Sequence, residues 1–540
     1  MKTLRGIAAA PGIAIGLAHI LQPAPQIDVT AQRTGDASAE ISRLAEAIQQ
    51  AIAHLDAVLG KASKVTADIL AAQREMLDDP ELKQGADDLI SDGFTAEAAI
   101  TRVASDYAAQ LASLPDEYLA ARAEDVREAG RRIVAALQGT SLEIRLYRAA
   151  ILVAQDLAPA ETVNLDASLL QAVVTETGSA TGHLAIVAQG LGIPAVVGVG
   201  GALSQIEEGT TLIVDGERGI VTVAPDEEMH TEATIRIAEA ERNRQALAIY
   251  RDRPGMTADG VRVDVFANIG SLAETQKAVE MGAEGVGLFR TELLAAQGLP
   301  SEEVQYAIYE EVASVLKRPL IVRTFDIGGD KPVPGLDMPT EANPFLGWRG
   351  IRLGLDRPEE VFLPQIRALL RAASTHDLRV MLPMVCVPEE VEAARALINK
   401  AMHDLEQEGQ AFRSVPLGIM VETPATALTL DQFQGLIDFA SIGTNDLIQY
   451  TYAVDRTNAQ VRDRAKPLGT ALLRLISQVC RAGIPVAVCG QLASDTEAVP
   501  LLVGLGVREL SVAPVHVPKV KQVLAGMTLG EMQAEVEKHL

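Results

Sequence analysis

The chain predicts a multidomain α/β protein: an α/β domain interrupted by a helical bundle, then a C-terminal (β/α)8 TIM-type barrel. Two observations carry that expectation. From Val261 onward, short apolar runs alternate with helical segments over a length that suits a barrel of about eight parallel strands. Ahead of them, Met1–Ile20 and residues 150–225 share a strand-and-glycine texture, and a long stretch of helical periodicity separates them.

Lys2 and Arg5 precede an apolar stretch as in a signal peptide, but Pro11, Gly12 and Gly16 interrupt it, so it reads as strand and turn. From Ala37 to Leu142 apolar residues recur at helical spacing. Ile41, Leu44, Ala45, Ile48, Ile52, Leu55 and Leu59 form one stripe, Phe94–Leu111 and Glu117–Leu137 repeat the style, and Pro80 and Pro115 stand at helix starts. Ala150–Ala154, Ala172–Thr175, Ile193–Val199 and Thr210–Val214 are strand-like, and the charged stretch Asp226–Tyr250 reads as a linker helix. The barrel strands are expected at Val261–Ile269, Gly285–Phe289, Leu320–Phe325, Arg379–Val385, Leu417–Val421, Phe439–Gly443 and Ile484–Cys489, with a faintly marked one near Trp348–Leu353. A doubly wound sheet is the alternative. The expected domains are therefore 1–20 with 146–225 (α/β), 21–145 (bundle), 226–255 (linker helix) and 256–540 (barrel).

At 540 residues the chain has room for about three or four domains of roughly 150 residues. The net charge of −25 argues against nucleic acid as a main partner and suits a basic partner protein, or local basic pockets for small anions. Cys386, Cys480 and Cys489 are too few and too irregularly placed for a disulfide framework or a zinc site, which suits a reducing compartment. No apolar run is long enough to cross a bilayer. The expected location is the cytoplasm, without membrane or nucleic-acid partner.

A barrel of this kind places catalytic groups at the C-terminal ends of its strands. The expected strands run into Arg290-Thr291-Glu292, Arg323-Thr324-Phe325-Asp326, Glu422-Thr423-Pro424, Thr444-Asn445-Asp446 and Cys489-Gly490. An isolated arginine is commonly a surface residue; several charged groups converging on one rim are not so explained. Arg290, Arg323 and Arg456 offer planar forks for phosphate or carboxylate oxygens. Glu422 and Asp446 are hard oxygen ligands of the kind Mg²⁺ accepts, Asn445 adds amide donors, and Cys489 is a candidate proton donor or nucleophile. In the first half, His183 stands in Ser179-Ala180-Thr181-Gly182-His183, a loop of small residues at the start of a helix from about Leu184. Gly178 and Gly182 permit close approach of another molecule, and the helix start would place backbone N–H groups near a phosphate carried on the ring.

Several motifs together resemble enzyme I of the phosphoenolpyruvate-dependent sugar phosphotransferase system, over essentially the whole chain. They are Pro11-Gly12-Ile13-Ala14, Leu77-Asp78-Asp79-Pro80-Glu81-Leu82, Gly285-Val286-Gly287-Leu288-Phe289-Arg290-Thr291-Glu292, Asp326-Ile327-Gly328-Gly329-Asp330-Lys331, Asn343-Pro344-Phe345-Leu346-Gly347-Trp348-Arg349, Val421-Glu422-Thr423-Pro424, Gly443-Thr444-Asn445-Asp446-Leu447 and Ala453-Val454-Asp455-Arg456. The resemblance implies that the α/β domain is a swivelling phosphohistidine domain. Phosphoenolpyruvate would bind at the barrel mouth, with Mg²⁺ on Glu422 and Asp446 and with Arg290, Arg323, Asn445, Asp446 and Arg456 on its oxygens. Lys331 and Arg349 would support this set. His183 would take the phosphoryl group on Nε2, Thr162 would orient its ring, and Cys489 would protonate the enolate to release pyruvate. The phosphoryl group would pass to a histidine of the carrier protein HPr, docked on the bundle, with Asp79 and Glu81 as candidate contacts. The barrel would form a homodimer.

The chain departs from the family pattern at Ser179, Gly182 and Gln491, which replace a glycine, a hydroxyl or thiol residue beside the histidine, and a glutamate. Three rivals stand beside enzyme I. A dikinase or synthase relative would need a nucleotide-grasping domain, for which no region before residue 150 is spare. A non-catalytic HPr-binding regulator would have kept the fold, and a paralogue would serve a non-sugar relay.

Overall fold

The computed structural model describes residues 2–21, 27–59, 70, 73–112, 117–140, 144, 146–157, 168–178, 184–185, 187–188, 192–295, 298–331, 333–339, 341–458 and 460–540. They form two compact units, Met1–Glu241 and Arg242–Leu540.

The first unit is built on an eight-stranded mixed sheet of order β1-β8-β7-β3-β4-β5-β6-β2. Its strands are β1 (Lys2–Arg5), β2 (Ile7–Ala10), β3 (Ile13–Ile20), β4 (Ala150–Ala154), β5 (Leu170–Thr175), β6 (Ala195–Val197), β7 (Thr211–Asp215) and β8 (Ile220–Val223). The N-terminal apolar stretch is thus strand, and β3 pairs in parallel with β4 across the whole intervening bundle. Side chains alternate across the sheet, so two apolar clusters form: Ile151, Val153, Ala172 and Val174 in one, Leu152, Ala154, Val173 and Val197 in the other. The strand β8 does not stand out in the sequence, because its four residues follow a tight Glu217–Gly219 turn and carry the hydroxyl of Thr222.

The bundle helices include Ala37–Leu59, Pro80–Ser91, Ala96–Ala112 and Glu117–Gln138, and the described residues 73–77 are helical as well. Leu44, Ile48, Ile52 and Leu55 of the expected stripe are buried, but Ala45 is exposed and Ala47 and Ala51 take its place. Pro80 occupies the first turn of its helix, and Asp79 caps it by accepting from the backbone N–H of Glu81 at 2.8 Å and Leu82 at 3.4 Å. The Asp79 carboxylate therefore has a structural duty. Pro115 lies outside the described residues. A helix of 25 residues, Glu227–Arg251, follows the sheet. Among the described residues no helix is long and apolar enough to cross a membrane.

The second unit is a closed, all-parallel barrel of eight strands. In order they are β9 (Asp264–Ile269), β10 (Val286–Phe289), β11 (Leu320–Arg323), β12 (Leu378–Leu382), β13 (Leu417–Val421), β14 (Phe439–Ile442), β15 (Val486–Val488) and β16 (Glu509–Val512). The doubly wound alternative is excluded by the closing pair β16–β9. The expected strand near Trp348–Leu353 is not a strand. Gly350 adopts φ +61° there and a short helix, Ile351–Asp356, begins, while the eighth strand is Glu509–Val512. The main core lies between the strands and the surrounding helices, and Leu288, Ile321, Met381, Met420 and Cys489 fill the barrel interior.

Candidate active site

The strand period of two carries the interior side chains up to the barrel mouth. Leu288 leads to Arg290, Ile321 to Arg323 and Met420 to Glu422, each pair on one inward face. Asn445 and Asp446 lie in the first turn of the helix Thr444–Tyr452 that follows β14, and Cys489 directly follows β15. Arg290, Arg323, Lys331, Glu422, Asn445, Asp446, Arg456 and Cys489 all line one cavity of about 960 Å³. Arg349 stands behind it, fully buried.

Asp326 is the hub of the charge network. Its carboxylate accepts from Arg349 Nη2 at 3.0 and 2.8 Å and from Lys331 Nζ at 2.6 Å, and it lies 3.3 Å from Arg323 Nη2. Burial alone would raise its pKa, but Arg323, Arg349 and Lys331 overrule that and hold it far below the ordinary carboxylate range. Arg323 also donates to Glu292. Lys331 reaches Asp326 because the chain turns back at Gly328, whose N–H and C=O both bond to Lys331 at 2.9 and 3.0 Å. A side chain at Gly328 (φ +96°) would run into the Trp348 carbonyl.

Glu422 and Asp446 form the acidic side. Glu422 Oε1 accepts from Met384 N–H at 2.6 Å, and Met384 holds φ +56° to present it. Its other oxygen, Oε2, is buried without a hydrogen-bond partner. Burial, with Asp326 and Asp446 nearby, raises the Glu422 pKa to about 7. Asp446 receives Arg456 Nη1 at 3.2 Å and lies 3.5 Å from Arg349 Nη1. A buried, orphaned carboxylate oxygen beside a second carboxylate is a donor set that fits Mg²⁺, which takes one or two protein carboxylates with substrate phosphate and water.

The cationic and thiol sides complete the mouth. Arg290 makes no side-chain hydrogen bond among the described residues, and partial desolvation together with Arg323 lowers its pKa. Asn445 Oδ1 accepts from the Gln491 N–H at 3.1 Å, leaving its NH2 uncommitted in the cavity. Cys489 is 2% exposed, and burial raises its thiol to about 11, so it is a protonated acid at neutral pH.

The expected site residues of the barrel thus converge. His183 and Thr162, with Ser179 and Gly182, lie outside the described residues. Glu292 and Asp326 also belong to the site, beyond the residues expected from the sequence. Asp326 lies just beyond the end of β11 at Arg323, but its main partner Arg349 is supplied by another loop.

The C-terminal rim of the barrel gathers arginine forks, paired carboxylates and a buried thiol in one cavity, the placement expected of an enzyme active site on this fold. Comparison narrows this. Three family models match: the PEP-utilising enzyme, PEP-binding domain over residues 244–529, the PEP-utilising enzyme, N-terminal over 5–122, and the PEP-utilising enzyme, mobile domain over 147–219. Phosphoenolpyruvate-protein phosphotransferase of Staphylococcus carnosus is 38% identical, covering 99% of this chain and 96% of its own, and that of Bacillus subtilis is 37% identical over 100% and 97%. That of Geobacillus stearothermophilus is 38% identical over 95% and 91%. A solution structure of an enzyme I protein is 34% identical, with a TM-score of 0.39, covering 44% of this chain and 99% of its own. The chain belongs to the phosphoenolpyruvate-protein phosphotransferase family, an enzyme family of phosphoenolpyruvate-dependent phosphoryl transfer.

Proposed function

We propose that the chain moves the phosphoryl group of phosphoenolpyruvate to His183 Nε2, releases pyruvate, and passes the group to a histidine of an HPr-type carrier as the first step of a sugar phosphotransferase relay. The observation that supports this most is the single cavity in which Arg290, Arg323, Arg456, Asn445, Glu422, Asp446 and Cys489 meet. Arg290 and Arg323 offer bidentate donors to the phosphate, and Arg456 with the Asn445 amide offers donors to the carboxylate. Glu422 Oε2 and Asp446 would hold Mg²⁺, which supplies charge neutralisation of the phosphate when bound. The imidazole of His183 attacks phosphorus in line, the N–P bond forms as the bond to the enol oxygen breaks, and the arginines stabilise the charge spread over the equatorial oxygens. The enolate then takes the Cys489 thiol proton on its methylene carbon, giving pyruvate and a thiolate. Asp326 keeps Arg323, Lys331 and Arg349 in place as a fixed charge. The same reading carries a homodimer through the barrel and a cytoplasmic location. The test is incubation with ³²P-labelled phosphoenolpyruvate and Mg²⁺, without ATP. Acid-labile label that disappears in His183→Ala supports the reading. No label on the native chain supports the non-catalytic regulator instead, and label that HPr refuses but another carrier accepts supports the non-sugar paralogue.

A further inference from the structure

Behind the rim, out of reach of the cavity, lies a closed chain of buried polar groups. Gln365, 1% exposed, stands in the first turn of the helix Leu363–Ala372. Its Oε1 accepts from the Phe325 N–H at 2.9 Å, and its Nε2 donates to Thr291 Oγ1 at 3.2 Å and to Tyr309 OH at 3.1 Å. Thr291 in turn donates to the Arg323 carbonyl at 2.8 Å, and Tyr309 donates to Gln305 Oε1 at 3.1 Å. The Phe325 N–H and the Arg323 carbonyl, whose roles are set by the backbone, fix the polarity of the Gln365 and Thr291 bonds.

Its connections matter more than its burial. Thr291 follows Arg290, and Phe325 stands between Arg323 and Asp326. One amide therefore ties the segment leaving β10 to the segment leaving β11, the two that carry the phosphate forks. The Tyr309 ring also packs edge-on against Phe289, the residue before Arg290, with centroids 6.1 Å apart. An apolar side chain of equal volume would fill the same space but could neither satisfy the Phe325 N–H nor hold the Thr291 hydroxyl toward the Arg323 carbonyl.

We propose that Gln365 is a positioning residue that sets the spacing of Arg290 and Arg323 by bracing the ends of β10 and β11 through Thr291 and Phe325. The proposal deepens the phosphoenolpyruvate reading and rests on it for its kinetic test. Gln365→Met keeps the volume and removes the amide, and Thr291→Val removes only the hydroxyl. Each is expected to slow single-turnover self-labelling by phosphoenolpyruvate about 10- to 100-fold, the size of a loss of about 1 Å in positioning. The double variant is expected to be no slower than the slower single one, because both break the same brace. Tyr309→Phe, which keeps the ring against Phe289, is expected to lower Tm while leaving the labelling rate within about twofold, which separates positioning from plain support of the fold. Labelling by folded Thr291→Val and Gln365→Met at the native rate overturns the proposal. A readout that needs no substrate keeps the two readings apart: amide hydrogen exchange at 290–292 and 324–327 should rise at least about tenfold in Gln365→Met, with the rest of the barrel unchanged. Unchanged exchange there overturns the brace, even if the native chain also fails to label, which would overturn the functional reading alone.

Discussion

Replacing Asp326 by Asn tests the electrostatic core of the site directly. The carboxylate is 1% exposed and touches Arg349, Lys331 and Arg323, of which Arg349 has no solvent contact at all. Asn preserves the shape and one acceptor oxygen but removes the charge that makes those cations tolerable. Among the described residues Arg349 would keep Asp446 at 3.5 Å and Asp330 at 3.6 Å as its ion-pair partners. Removing one partner of a buried ion pair costs about 3–5 kcal/mol, and the lower end applies here because Lys331 can turn toward solvent. The sign of the pH dependence follows from the depressed pKa. The stability contributed by the titration of Asp326 itself is complete above its unfolded pKa of about 4 and shrinks as pH falls below that, while the loss of its charge also lowers the pKa of Glu422 and makes the native–variant difference vary between about pH 4 and pH 7. Urea unfolding followed through the fluorescence of Trp348, the single tryptophan of the chain and the neighbour of Arg349, gives the number. A loss below about 1 kcal/mol at pH 7 would refute the hub, since that is the range of exposed ion pairs.

Glu422→Gln should behave in the opposite sense. With its pKa raised to about 7, native Glu422 binds a proton that the unfolded chain gives up, so its cost appears as pH rises from about 4.3 to 7. In EDTA the variant should therefore match the native protein at pH 4 and exceed its stability at pH 8, while Mn²⁺ binding measured by electron paramagnetic resonance is lost; equal stability at pH 8 would contradict the raised pKa. Cys489, buried and raised to about 11, should resist iodoacetamide at pH 8 in the folded chain while Cys386, partly exposed, reacts; equal rates by mass spectrometry would contradict it. Gly490→Ala would put a methyl carbon 2.7 Å from the backbone nitrogen of Thr444, an overpacking expected to cost about 1–3 kcal/mol in unfolding experiments and to displace Cys489; a neutral change in stability would mean that the strand ends yield there.

Strand ends were legible because the barrel interior writes its own signature. The runs ending in Arg290, Arg323, Glu422 and Cys489 are apolar up to the mouth and abruptly charged or polar at it. The run Leu417–Val421 is matched residue for residue, since Pro416 and Glu422 bound it. The eighth strand was illegible for the converse reason. Glu509 and Ser511 alternate with Leu510 and Val512, so no apolar run announces Glu509–Val512. Trp348–Leu353 offered a more strand-like composition, yet Gly350 turns it into a helix start. Asp326 escaped assignment because its function depends on Arg349, a pairing that only the fold creates. Gln365 lies in a helix with nothing in its own sequence to mark it; its meaning resides in Phe325 and Thr291 on two other elements.

The most direct measurement is peptide mapping of the acid-labile phosphate after brief reaction with labelled phosphoenolpyruvate, with pyruvate counted in the same samples. One phosphate on His183 is expected for each pyruvate released, with loss of both products in Arg323→Met. Label on any other residue, or pyruvate formed without a phosphorylated His183, would contradict it.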